Sequence, residues 1–202
     1  MGLFGRIVQK ISDHPVLFIF VRGILENDFR AIRSTIRREL DLGPSARTLD
    51  LGCGPGAFAD LFEAGDYVGV DLNARYIDHA RRTRKGAFIV SDAKRVDLPD
   101  ARFDQILIFG LLHHLPDDEV RGVLSECRRL LAHGGRVLVI EDIPAVSRMN
   151  LIGHLIHQVE NGEFIRPVED YRRLYAEAGR VERELVLQSG ICDYYAAVLV
   201  TT

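Results

Sequence analysis

The chain has 202 residues, a net charge of −3 and 47% hydrophobic residues, which is the profile of a globular protein with one core. Proteins that bind nucleic acid are usually basic, so this charge disfavours DNA or RNA as the main partner. Three widely spaced cysteines without a CxxC pair favour a reduced, cytoplasmic setting over a disulfide framework or a zinc ribbon. The apolar run 16–21 is far shorter than the roughly twenty residues that span a bilayer, and we expect neither a membrane span nor a signal peptide.

The first forty residues have helical spacing. One apolar stripe consists of Phe4, Ile7, Val8 and Ile11. Asp13-His14-Pro15 breaks this pattern, and a second helical stretch is predicted from Pro15 to Leu40, where Gly43-Pro44 stops it. We expect residues 1–44 to form a helical lid.

From residue 46 onward, strand and helix patterns alternate. Strands are predicted at 48–51, 67–70, 87–90, 105–109 and 136–140. Helices are predicted after Gly56, from Ala74 to Arg84, and from Pro116 to a stop at Gly134. Residues 45–142 therefore form the expected ligand-binding core, and residues 143–166 interrupt the alternation as an insert.

The C-terminal part predicts a helix from Pro167 to Ala178 and two strands near 181–188 and 193–201. Only four residues separate these strands, so they must be antiparallel, because a parallel crossover needs a dozen or more. Residues 167–202 thus form a closing helix and hairpin. The predicted fold is a single α/β domain with a Rossmann-like, doubly wound seven-stranded sheet, mostly parallel, with a C-terminal antiparallel hairpin and N-terminal helices.

A glycine-rich loop leaves the first strand. In Gly52-Cys53-Gly54-Pro55-Gly56, the glycines allow a sharp turn and the close approach of a ligand. Asp71 ends the next strand 19 residues after Gly52, where a carboxylate can accept hydrogen bonds from both hydroxyls of an adenosine ribose. A cap on the following helix is the alternative role of Asp71.

The loop also fits a dinucleotide site, because Gly52-x-Gly54-x-x-Ala57 matches the dinucleotide fingerprint. An NAD-dependent oxidoreductase is therefore a second candidate. Pro55 removes an amide donor that a pyrophosphate would need, and the terminal hairpin departs from a dinucleotide-binding fold. The sequence also lacks a Tyr-x-x-x-Lys motif. These observations favour a different adenosyl ligand.

Five motifs in order carry a family resemblance. They are LDLGCGPG, GVDLN, SDA, FDQILIFGLLHHL and LLAHGGRVLVIED, all between residues 49 and 142. Together they resemble the class I S-adenosylmethionine-dependent methyltransferases of the small-molecule type. The resemblance implies S-adenosyl-L-methionine as the cofactor and methyl transfer by in-line displacement. A protein that binds this cofactor without turnover is a third candidate.

The resemblance also implies roles for individual residues. Those expected at the cofactor are Asp50, Gly52, Cys53, Gly54, Gly56, Asp71, Leu72, Asp92, Ala93 and Phe109. Asp50 would lie behind the glycine loop and Asp71 would bind the ribose. Leu72 would pack on the adenine, and Asp92, beside Ala93, would accept from its amino group. Phe109 would lie near the sulfonium.

Two adjacent histidines follow the fourth strand. His113 and His114 are candidate general bases at the sheet edge where α/β folds bind ligands. The alternative is that one of them caps a turn or packs beside the cofactor. His154 and His157 in the insert lack an evident third ligand, so we predict no metal.

The N-terminal segment and the insert are both apolar, and related enzymes build the acceptor site from these regions. The insert stripe comprises Ile152, Leu155, Ile156 and Val159. We therefore expect a small hydrophobic acceptor such as a lipid or quinone, with peripheral membrane contact as a further option. No Asn/Asp-Pro-Pro-Tyr motif is present, which favours O- or C-methylation.

Overall fold

The computed structural model describes residues 15–62, 67–144 and 164–200. Seven strands form one sheet in the order β3-β2-β1-β4-β5-β7-β6. They are β1 (Thr48–Leu51), β2 (Tyr67–Asp71), β3 (Ala87–Val90), β4 (Phe103–Phe109), β5 (Leu131–Asp142), β6 (Arg180–Ser189) and β7 (Cys192–Val200). The first five strands pair in parallel, whereas β7 is antiparallel to both β5 and β6. The predicted fold class is confirmed.

Within the described ranges, five helices accompany the sheet. They are α1 (Pro15–Leu25), α2 (Arg30–Glu39), α3 (Ala74–Thr83), α4 (Asp117–Leu130) and α5 (Val168–Ala178). None of the helices within the described ranges has the length and hydrophobicity needed to cross a membrane. Strand β1 pairs with β2 on one side and with β4 on the other, which makes its carboxyl end the point where the strand order reverses. Open α/β sheets bind their ligands at this point.

Each face of the sheet has its own hydrophobic cluster. On one face, α4 and α5 contribute buried residues such as Leu124 and Leu174. On the other face, α2 contributes Ile32 and Ile36 and α3 contributes Ile77, and all three are fully buried. Helix α2 is thus part of the core.

The predicted single helix from 15 to 40 is wrong, because the structure has two helices there. Asn27, Asp28 and Phe29 all have left-handed backbones, with φ of 52°, 56° and 54°. Asn and Asp tolerate this conformation better than most residues. The break allows the Phe29 ring to pack against the ring of Phe58, with centroids 5.7 Å apart. Tertiary packing therefore overrides the helical periodicity.

Two further boundaries differ from expectation. After Gly56, residues 57–62 contain only a three-residue 3₁₀ turn, Ala59–Leu61, instead of the predicted helix, because this stretch turns to bury Phe58 and Leu61. Gly134 does not stop α4, which ends at Leu130 and leads directly into β5. The predicted helix at 4–11 and the insert stripe at 152–159 lie outside the described residues.

Candidate active site

The glycine loop has the backbone that its composition predicts. Gly52, Gly54 and Gly56 have φ of 81°, 53° and 75°, a region that side chains rarely adopt. At Gly52 an added Cβ would also lie 3.1 Å from the side chain of Leu111, which follows β4. The loop after β1 and the segment after β4 therefore pack directly against each other at the carboxyl edge of the sheet.

The loop uses its own backbone amides. The N–H groups of Gly52 and Cys53 donate to Val70 O at 2.8 and 2.9 Å, that of Gly54 to Asp71 Oδ2 at 2.8 Å, and that of Gly56 to Cys53 O at 3.0 Å. Pro55 has no N–H. A pyrophosphate is bound by free amides at the start of a helix, and this loop offers neither the amides nor a full helix. An adenosyl ligand without phosphate has no such requirement.

Asp71 is half-buried at the end of β2. Its Oδ2 accepts from Gly54 N, and its Oδ1 accepts from Asn73 N at 2.8 Å, which leaves each oxygen able to accept again. Burial raises the pKa of Asp71, although the two amide hydrogen bonds act in the opposite direction. The N-cap of α3 is Asn73, whose side chain accepts from Arg75 N at 3.0 Å. The capping role considered for Asp71 is therefore filled by another residue.

Two predicted residues lie beneath the loop. Asp50 is 1% exposed and accepts a 2.6 Å hydrogen bond from the Tyr67 hydroxyl. Burial raises the pKa of Asp50 to about 7. Cys53 is also buried, and its sulfur would lie 2.9 Å from a Cβ placed on Gly69. Both side chains support the loop from below.

Leu72, Asp92 and Ala93 lie where β2 and β3 end. Leu72 is 73% exposed, so its side chain is accessible to a ligand. Strand β3 runs beside β2, and Ser91 N donates to Asp71 O at 3.1 Å, which brings Asp92 to the same edge. Asp92 is exposed and its Oδ1 accepts from Lys94 N at 2.9 Å, while Ala93 packs on the core.

Phe109 belongs to a group of four rings, here termed the aromatic cluster: Phe29, Phe58, Phe109 and Tyr194. The Phe109 ring lies 5.1 Å from Phe58, 6.0 Å from Phe29 and 5.7 Å from Tyr194, measured between centroids. These rings come from the segment after α1, the stretch that follows the glycine loop, β4 and β7. The cluster thus forms an apolar wall beside the loop.

His113 is buried in a 3₁₀ turn (Leu112–His114) after β4. Its Nδ1 lies 2.8 Å from Oε2 of Glu141, which is fully buried and also accepts from the amides of Leu111 and Leu112 at 3.0 and 2.7 Å. Burial works against the charged imidazole, but Glu141 and Asp142 outweigh it and raise the pKa of His113. His114 is exposed, with its ring centroid 4.1 Å from that of His113.

Arg166 fixes the same turn from the other side. This buried guanidinium donates to Leu112 O at 3.0 Å and Leu115 O at 2.6 Å, and it pairs with Asp117 at 2.8 Å. A guanidinium presents five donors in a rigid fork, so one side chain can bind several carbonyls at once. The segment before α5 thereby holds the His113 turn in place.

A group of polar residues that are buried, or in the case of Arg22 mostly buried, lies at this edge and is here termed the edge cluster: Arg22, Glu26, His113, Glu141, Asp142 and Tyr194. Of these, sequence reasoning had singled out only His113. Arg22 pairs with Glu26, and the Tyr194 hydroxyl donates to Glu26 Oε2 at 2.6 Å. Glu141 and Asp142 end β5 as Asp71 ends β2, and this position was the available signal. In the described part of the chain, no group of three or more His, Cys, Asp or Glu residues is placed to bind a metal.

Residues 48–135 match the family model described as a methyltransferase domain. This region belongs to the class I S-adenosylmethionine-dependent methyltransferases. Its relatives in this family include the demethylmenaquinone methyltransferase of Thermotoga maritima, which is 30% identical over 71% of this chain and 62% of that protein. The fatty-acid O-methyltransferase of Mycolicibacterium smegmatis is 34% identical over 50% of this chain and 41% of that protein. The matched region thus spans less than two thirds of either relative.

Solved structures of methyltransferases share the fold. A SAM-dependent methyltransferase from Archaeoglobus fulgidus superimposes with a TM-score of 0.70 over 91% of this chain and 99% of that chain, at 18% identity. The superposition concerns the fold, and the match to the family model confirms the resemblance of the five motifs to this family. The roles of the individual site residues stay predictions.

Proposed function

We propose that this methyltransferase transfers the methyl group of S-adenosylmethionine to a small hydrophobic acceptor, at oxygen or carbon. One observation carries the proposal: the glycine loop with Asp71 lies directly beside the aromatic cluster, at the point where the strand order reverses. A polar nucleoside site thus adjoins an apolar wall. Methyl transfer requires that the cofactor and the acceptor bind side by side.

The residues at the loop fit the cofactor. When bound, S-adenosylmethionine supplies a methyl group that its sulfonium has already activated. Asp71 has acceptor capacity left for the ribose hydroxyls, exposed Leu72 lies next to it for the adenine, and Asp92 follows on the neighbouring strand. Gly52 and Gly54 bring the backbone close to the methionine end. The chain's main task is to hold the acceptor in line, and such alignment supplies roughly 7–11 kcal/mol of a barrier.

The aromatic cluster favours an apolar acceptor. Phe109 ends β4 only half-buried, while Phe29 and Phe58 behind it are buried. The two relatives named above act, by their names, on demethylmenaquinone and on a fatty acid, and both of these are largely hydrophobic. Aromatic walls of this kind line small-molecule pockets, with a few polar groups to fix orientation.

The N-terminal segment contributes the proposed lid. Arg22 of helix α1 and Glu26, which follows the helix, lie against the carboxyl end of β5 and the amino end of β7. Val16, Phe20 and Ile24 on the same helix are 55%, 63% and 67% exposed. One face of α1 therefore closes the acceptor region and another is apolar and open. An apolar lid would also keep water from the transfer step.

The histidines have different candidate roles. Because His113 is buried and Glu141 holds its Nδ1, we assign it to positioning the turn after β4. His114 is exposed at the same edge, so it is the one of the two histidines that an acceptor can reach.

The test uses the full chain with methyl-labelled S-adenosylmethionine and a fractionated cell extract. We expect label to enter the organic phase in a protein-dependent reaction that adenosylhomocysteine inhibits. Label confined to the aqueous phase would contradict a hydrophobic acceptor. Calorimetric binding of adenosylhomocysteine without label transfer in either phase would favour the non-catalytic alternative, and thermal stabilisation by NADH instead would favour the oxidoreductase.

A further inference from the structure

Asp142 is the residue of the edge cluster whose charge is least compensated. It ends β5, it is 0% exposed, and neither of its carboxylate oxygens accepts a hydrogen bond from the described residues. Its Oδ2 lies 3.7 Å from His113 Nδ1 and 4.0 Å from Arg22 Nη2, both beyond hydrogen-bond distance. A buried polar group without a partner costs free energy, and for a carboxylate the cost is larger still. The Asp142 carboxylate therefore lacks a hydrogen-bond donor, which a bound molecule can supply.

Its neighbours direct their donors elsewhere. His113 Nδ1 lies 2.8 Å from Glu141, and the Tyr194 hydroxyl donates to Glu26 at 2.6 Å. Glu141, the residue before Asp142, accepts from three successive amides besides the imidazole. Two adjacent acids at the end of one strand thus differ: the Glu141 carboxylate accepts four hydrogen bonds, whereas the Asp142 carboxylate accepts none from the described residues.

The position of Asp142 in the sheet indicates where the missing hydrogen-bond donor would bind. Side chains alternate along a strand, so Asp142 lies on the same face of β5 as Ile140, which pairs with Phe109 of the aromatic cluster. In the antiparallel pairing, Asp142 stands opposite Tyr194, another member of that cluster. The unpartnered carboxylate therefore adjoins the apolar wall proposed to receive the acceptor.

We propose that Asp142 binds a hydroxyl group of the methyl acceptor and takes its proton during transfer. This inference rests on the proposed function and deepens it. The acceptor oxygen forms the new bond to the methyl carbon, the carbon–sulfur bond breaks with its electron pair left on sulfur, and the hydroxyl proton moves to a carboxylate oxygen of Asp142. Arg22 and His113, each within 4.0 Å, stabilise the ionised carboxylate until the proton arrives.

The proposal assigns a substrate class. An alcohol or phenol supplies the donor that Asp142 lacks. A carboxylate acceptor at the same position would meet a buried like charge, which is unfavourable. The enzyme should therefore make methyl ethers and not methyl esters, in contrast to what the name of the fatty-acid relative implies for that protein.

The decisive variant is Asp142→Asn, which keeps the shape and removes the base. We expect label transfer to fall by about 10²–10⁴-fold, the usual contribution of a general base. The affinity for adenosylhomocysteine should stay unchanged by calorimetry. The melting temperature should not fall, because the substitution removes a carboxylate that lacks a hydrogen-bond donor.

The matched control is Glu126→Gln, another buried acid, whose carboxylate accepts from Val96 N at 2.7 Å and binds Arg129. This variant should lower the melting temperature and leave label transfer unchanged. If Asp142→Asn instead behaves like the control, with a lower melting temperature and near-normal transfer, Asp142 is structural and the proposal is overturned.

The labelled product gives an independent result. Label that resists mild alkali and is released by hydriodic acid is a methyl ether and supports the proposal. Label released by mild alkali is an ester, and label that resists both is bound to carbon or nitrogen; either would overturn it. A wild-type chain that does not bind adenosylhomocysteine would instead reject the proposed function itself, so the two failures are distinguishable.

Discussion

The sheet edge has two halves that are built differently: the proposed cofactor half, which is the glycine loop with Asp71, and the proposed acceptor half, which is the edge cluster with Arg166. In the cofactor half, each bond joins residues close in sequence, such as Gly54 to Asp71, 17 positions apart. In the acceptor half, Arg22 reaches Tyr194 across 172 positions, and Glu26 is bonded by the same tyrosine across 168. The Asp71 carboxylate has two amide donors, whereas the Asp142 carboxylate has none among the described residues.

This difference suits a cofactor half that is generic and an acceptor half that is specific. A short loop between two strands can satisfy its own polar groups, so the cofactor half is complete before any acceptor binds. The acceptor half depends on α1, the segment before α5 and β7 meeting at one edge. Residues gathered from distant segments can be exchanged separately, and variation in acceptor specificity on a shared fold requires this independence.

The strongest way to break the acceptor half is Arg166→Met. It leaves Leu112 O and Leu115 O without their buried donor, and we expect the free energy of unfolding to fall by about 3 kcal/mol. Urea denaturation measures the change. The control, Arg121→Met, removes an exposed ion pair with Glu177 and should cost less than about 1 kcal/mol. Equal losses would mean that Arg166 does not organise the turn.

A smaller effect is expected where the hairpin meets α1. Gly190 has φ of 58°, and a Cβ there would overlap Leu25 O at the end of α1. We expect Gly190→Ala to cost about 2 kcal/mol or more, from backbone strain and this overlap together. Gly134→Ala is the matched control, since φ is 77° but nothing lies within 4 Å, and it should cost only about 1 kcal/mol. The difference in melting temperature between the two variants measures the effect of the overlap with α1. Identical melting temperatures would contradict the predicted overlap.

The cofactor half is tested by Asp71→Ala. Loss of the ribose contact should weaken binding of adenosylhomocysteine at least about tenfold, or roughly 1.4 kcal/mol, by calorimetry. Asp78→Ala, on the exposed side of α3, should leave the affinity unchanged. Unaltered affinity in the Asp71 variant would mean that the ribose contact is wrongly placed.

The smallest effect concerns pH. The pKa of His113 is raised above its ordinary value of 6.5, so its charged form stabilises the fold below that pH. The stabilisation is lost as the pH rises through the higher folded-state pKa. Glu141, Asp142, Arg22 and the ring of His114 face this imidazole.

Melting temperatures measured across this window test the linkage. We expect the decline from below pH 6.5 upward to be shallower in His113→Gln than in the wild type, by a fraction of the roughly 1.4 kcal/mol that one pKa unit represents. The exposed His133, replaced in the same way, serves as the reference and should leave the slope unaltered. A slope shared by all three proteins would show that His113 is not the group responsible.

Much of the fold could be predicted because its signals are local. The strands around Gly52 and Asp71, the α5 helix between Pro167 and Gly179, and the short turn of the hairpin all follow from neighbouring residues. Where prediction failed, tertiary contacts overrode local preference. The helix through Phe29 broke so that this ring could join the aromatic cluster, and the stretch after Gly56 turned to bury Phe58.

The sequence by itself determined the parallel sheet, its antiparallel end and a glycine loop followed by an acid, since glycine backbones, strand periodicity and short connections act over a few residues. Only the tertiary structure decided which buried carboxylates have hydrogen-bond donors and which do not. Glu141 and Asp142 are consecutive, yet the pleat of β5 sends one toward three amides and the other toward α1 and Tyr194. Hydrogen-bond partners of buried groups come from remote segments, and no local pattern encodes that difference.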